Sequence, residues 1–62
     1  MKYIAKTTRR NINGKPDFEF IYKHTNGLPV YFETEKEALN KAKALCEEFA
    51  FSMYNPQVKE TA

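Results

Sequence analysis

Hydrophobic and polar positions follow two different periods along this chain, and the change falls near Glu33. Before it, short runs rich in β-branched and aromatic residues are interrupted by Asn13-Gly14 and Asn26-Gly27. Asn and Gly adopt positive φ at little cost, so each pair between strand-like flanks signals a hairpin. The flanks are Tyr3–Arg9, the aromatic stretch Asp17–His24 and the short run Pro29–Glu33. Pro16 suits only a strand entrance, because proline lacks the donor a ladder needs. Three antiparallel strands in a meander are predicted near residues 2–9, 17–24 and 29–33.

Beyond Glu33 the period becomes helical. Thr34-Glu35-Lys36-Glu37 matches a capping box, with Thr34 accepting an amide three residues on and Glu37 reaching back. Ala38, Leu39, Ala42, Leu45, Cys46, Phe49 and Met53 then fall on one stripe at helical spacing. Asn55-Pro56 stops the pattern, since the residue before proline is pushed out of the helical region. A helix over about 35–51 is predicted, with Tyr54 as its outer limit, followed by a polar, loose tail at 56–62. The expected fold class is α+β: a three-stranded antiparallel β-meander with one C-terminal α-helix on one face (β-β-β-α), in a single domain over residues 1–55.

A single helix covers one sheet face and leaves the other open. Which side chains reach that open face depends on hairpin register, because a slip of one residue reverses both faces. Three-residue loops ending at Gly14 and Gly27 place Ile4, Phe18, Phe20, Tyr22, Val30 and Phe32 under the helix. Tyr3, Ala5, Thr7, Arg9, Glu19, Ile21, Lys23, Tyr31 and Glu33 then face outward. Two-residue loops instead expose Phe18, Phe20, Tyr22 and Tyr31 over a core of Ile4, Ile21, Val30 and Phe32. The first arrangement is expected, because burying three aromatics gains several kcal/mol at ~25 cal/mol per Å².

Composition narrows the function. The chain has 62 residues, one cysteine and one histidine, which excludes a disulfide framework and a four-ligand zinc site within one chain. No secretory leader pattern follows Met1 and no window nears about 18 apolar residues. With its lone cysteine, the chain reads as a complete, short cytoplasmic product of the size common in phages and mobile elements. Charge is uneven. Up to Phe32 six basic residues face two acids, a net +4, and from Glu33 onward four lysines face six glutamates, a net −2.

The basic first half points to a polyanion. Lys6, Arg9, Arg10 and Lys23 are candidate phosphate contacts, with Ile21 and Tyr31 as apolar contacts on the open sheet face. The run Phe18-Glu19-Phe20-Ile21-Tyr22 has the composition of a stacking platform for single strands, with burial under the helix the better account. His24 reads as a turn residue and Cys46 as a small hydrophobe on the helix stripe. Glu33, Glu35 and Glu37 are explained by capping and the helix dipole. Glu47 and Glu48, near the helix C-terminus, are not. With Ala44, Phe51 and Tyr54 they mark a second surface suited to a protein partner. No cofactor or metal motif is found, and no pair of groups takes complementary acid, base or nucleophile roles, so an enzyme is not expected.

A three-stranded sheet followed by a helix entered through Tyr31-Phe32-Glu33-Thr34-Glu35-Lys36-Glu37-Ala38 resembles the arm-type DNA-binding domain at the N-terminus of tyrosine integrases. The resemblance covers roughly residues 2–50. It implies a sheet lying in the DNA major groove, with Lys6, Arg9, Ile21, Lys23 and Tyr31 at or near the groove. The expected function is therefore a small non-enzymatic accessory or regulatory protein that binds nucleic acid, foremost DNA. The alternative is a phage or mobile-element protein that modulates a host protein through its helix surface or a sheet edge. Either serves a monomer or a small homo-oligomer without a membrane partner.

Overall fold

The computed structural model describes residues 2–11 and 13–61. Met1, Ile12 and Ala62, which open the expected domain, sit in its first loop and close its expected tail, lie outside the described residues. Four elements follow one another: β1 (Lys2–Arg9), β2 (Phe18–Ile21), α1 (Glu35–Glu48) and β3 (Met53–Thr61). The sheet is antiparallel with strand order β2-β1-β3, so β1 is central. The α+β class, with three antiparallel strands and one helix, is as expected.

The order of elements is not. The third strand is the C-terminal segment, and the chain runs β-β-α-β rather than β-β-β-α. The segment expected as a loose tail pairs with the free side of β1, from Arg9↔Met53 to Lys2↔Thr61. Pro56 is compatible with this because β3 is an edge strand. A bulge between Lys6 and Thr8 places two β3 residues against one of β1, and Asn55 there takes φ 58°. Residues 29–33, predicted as the third strand, contribute only single bridges. Lys23 pairs with Pro29, closing the hairpin around Gly27 (φ 88°), and Phe32 pairs with Tyr3.

The helix begins where its cap predicts. Thr34 Oγ1 accepts the Glu37 N–H at 3.2 Å, and Glu35 and Glu37 lie in the first turn. It ends at Glu48, short of the expected residue 51. Phe49 leaves the helical region, and its carbonyl accepts the Ser52 and Met53 N–H groups, turning the chain into β3.

Opposed residues of an antiparallel pair share a face. Thr7↔Phe20, Arg9↔Phe18, Ala5↔Val58 and Arg9↔Met53 therefore define the helix side, and Lys6↔Ile21, Thr8↔Glu19 and Ile4↔Lys59 the open side. Phe18, Phe20, Tyr22 and Phe32 lie on the helix side as expected. The first strand is reversed. Tyr3, Ala5, Thr7 and Arg9 face the helix, whereas Ile4 lies on the open side and is buried there. The cause is the first loop. It spans residues 10–17 rather than three, and Asp17 Oδ1 holds it by accepting the Asn11 N–H at 3.0 Å. A loop of this length releases β1 from the register a tight turn would impose.

Ala5, Ala38 and Ala42 have no exposed surface, and Thr7 is 1% exposed. Such small side chains let α1 approach β1 closely, and Leu45 and Met53 complete the core on this side.

Candidate functional site

The helix rests on β1 and β3 but does not reach β2. Its position follows from the chain path, since the short turn at 49–52 must deliver the helix end to the start of β3. Along β2 and the residue after it, the period of two places Phe18, Phe20 and Tyr22 on the helix side. On α1 the spacing of four places Lys41, Leu45 and the following Phe49 along the flank nearest β2. Between these walls lies an open groove of about 310 Å³, lined by Phe20, Tyr22, Leu45, Phe49, Ser52 and Met53, with Arg9 and Lys23 at its margin. Its lining is mainly apolar. Lys41 Nζ stands 4.5 Å from the Tyr22 ring centroid, and Tyr22 stacks with Phe32 at 6.4 Å. Phe18 (47% exposed) and Phe49 (44%) continue the aromatic surface, and Phe51 in the adjoining turn is 96% exposed.

The open sheet face is different in kind, because two of its lysines are paired with glutamates, while Lys59, opposed to Ile4 there, is in no ion pair among the described residues. Lys2 bonds Glu33, and Lys6 bonds Glu19 at 2.8 Å. These lysines hold the Glu33 and Glu19 carboxyls below the usual range, chiefly through the hydrogen bond each donates. At the end of the face the Tyr54 hydroxyl donates to Asp17 Oδ2 at 2.5 Å, and the Arg10 guanidinium lies 4.9 Å over the Tyr54 ring. That hydrogen bond lowers Asp17 and raises Tyr54. Burial raises the Cys46 thiol, in keeping with its expected packing role.

The candidate nucleic-acid residues are thus divided. Lys6 and Ile21 oppose each other on the open face, and Tyr31, 53% exposed, precedes the Phe32 bridge to Tyr3. Arg9, expected on the open face, is on the helix side, because β1 is reversed. Lys23 also lines the groove there, and Arg10 packs on Tyr54. Of the candidate protein-binding set, Ala44, Glu47, Glu48 and Phe51 are exposed on the helix and the turn after it. Tyr54 does not join them. It belongs to β3 and lies on the opposite face, opposed to Thr8.

The groove itself was absent from the sequence reading, although Phe20, Tyr22, Leu45 and Met53 were all expected in the core. The signal for it was the length of the helix stripe, which is too narrow to cover three strands. Among the described residues, no three His, Cys, Asp or Glu side chains cluster as a metal site, and no helix is long and apolar enough to cross a membrane. No family model, curated protein or solved structure matches this chain, so the resemblance to the integrase arm-binding domain rests on the residues quoted for it alone.

Proposed function

We propose that the protein is a non-enzymatic binding module whose partner is another protein, engaged at the aromatic groove between β2 and α1. One observation carries this reading: the helix does not reach β2, so Phe20 and Tyr22 line an apolar groove open to solvent, with the exposed Phe18 on the same sheet side. Contiguous exposed aromatics next to a concave surface are the composition of a protein-binding hot spot. Phe49 and Phe51 extend that surface, and Glu47 and Glu48 supply a polar rim.

Nucleic-acid binding through the open sheet face has less support. Phosphate neutralisation needs several unengaged cations on one surface. On that face, among the described residues, Lys2 and Lys6 are tied to glutamates, which leaves Arg10, over the Tyr54 ring, and Lys59 as the cations without a carboxylate partner.

Cross-linked capture from an extract of the cells that carry the gene tests the choice. Phe18→Ser and Phe51→Ser, both at exposed positions, are expected to lose a partner that the wild type and Lys6→Ala retain. A gel shift on duplex or single-stranded probes at low salt, abolished by Lys6→Ala, would select the nucleic-acid reading instead.

A further inference from the structure

We infer that the occupant of the groove is a short acidic segment of the partner protein, seating one apolar side chain and placing carboxylates on Arg9, Lys23 and Lys41. This rests on the protein-binding reading and names the chemistry of the partner. Among the described residues the ion pairs are Lys2–Glu33 and Lys6–Glu19, so the three cations around the groove have no carboxylate partner. Arg9 and Lys23 line its margin, and Lys41 lies over the Tyr22 ring one helical turn before Leu45. Glu37, one turn before Lys41, and Glu48, two turns after it, share its helix flank, and neither is ion-paired with it.

Unpaired cations beside an apolar concavity complement an apolar residue flanked by acids, because partial desolvation strengthens each charge pair. The size agrees. At about 310 Å³ the groove is at the small end of binding pockets, which span about 300–1,000 Å³, and so accepts one or two side chains.

Selection of a phage-displayed library of random peptides on the immobilised protein tests the inference. Enriched sequences are expected to carry a large apolar residue flanked by Asp or Glu. The top peptide, made synthetically, is expected to shift the backbone amides of Phe20, Tyr22, Leu45 and Met53. Arg9→Glu should weaken it about tenfold or more, the size of one lost charge pair. The double reversal Arg9→Glu with Lys23→Glu should enrich Lys- and Arg-bearing peptides in place of acidic ones. Both residues are exposed, and an unchanged amide spectrum verifies the fold. Enrichment without acids, or shifts elsewhere, overturns the acidic occupant and leaves the protein-binding reading standing. Absence of enrichment overturns the inference. If a single-stranded oligonucleotide then shifts the same amides, the protein-binding reading falls as well.

Discussion

Tyr54 ties β3 to the far end of the β1–β2 loop, because its hydroxyl donates to Asp17, whose other oxygen holds the Asn11 amide. Asp17 titrates below its ordinary value of 3.8, so its contribution is present above that value and is lost as pH falls through the lower folded one. Glu19 and Glu33 act in the same sense. Tyr54 is raised above 10.0, so its contribution is present below 10.0 and is lost as pH rises through the folded value. Tyr54→Phe should lower the melting temperature at neutral pH and remove the alkaline part of the decline, which thermal denaturation across pH measures directly. Thr7 is the opposite case. Its hydroxyl is buried without a hydrogen-bond partner on the central strand. Thr7→Val keeps the shape and removes the orphaned group, so urea denaturation should find the variant unchanged or more stable by about 1 kcal/mol.

The helix is strong at one end and weak at the other. Its N-terminus has the Thr34 cap and two glutamates in the first turn, and Thr34→Ala should cost about 1 kcal/mol in urea unfolding. Its last turn has no basic residue and carries Glu47 and Glu48 against the negative end of the dipole. Glu48→Lys should therefore stabilise the fold by about 0.3–1 kcal/mol. Such an uncorrected cost in so small a domain is consistent with a surface kept for binding. The cap was legible because it is local chemistry among four consecutive residues. The helix end was not. Phe49 and Met53 continue the apolar spacing, and only the pairing of Met53 with Arg9 on the sheet draws the chain out of the helix.

For a molecule of 62 residues the expected stability is about 3–9 kcal/mol, and few large side chains are fully buried to supply it. The pairing of β3 with the full length of β1 is therefore indispensable. Removing residues 53–62 should abolish cooperative unfolding, read as loss of amide dispersion and of a sigmoidal thermal transition. The same deletion would leave unaffected a molecule whose C-terminus was a loose tail.

Elements governed by neighbouring residues were determined by the sequence alone: the extended first strand, the hairpin at Asn26-Gly27, the capped helix start and the α+β class. The aromatic alternation of Phe18, Phe20 and Tyr22 also identified the side facing the helix. Tertiary structure decided the rest, because it turned on partners distant in the chain. The polar segment from Asn55 has little strand character of its own and becomes a strand only against the unsatisfied edge of β1. The long loop before Phe18 frees β1 to turn Ala5 and Thr7 toward Ala38 and Ala42, since small residues on both elements allow the closest approach. The groove exists because a single helix, anchored through its short turn to β3, is too narrow to cover the strand on the far side of the sheet.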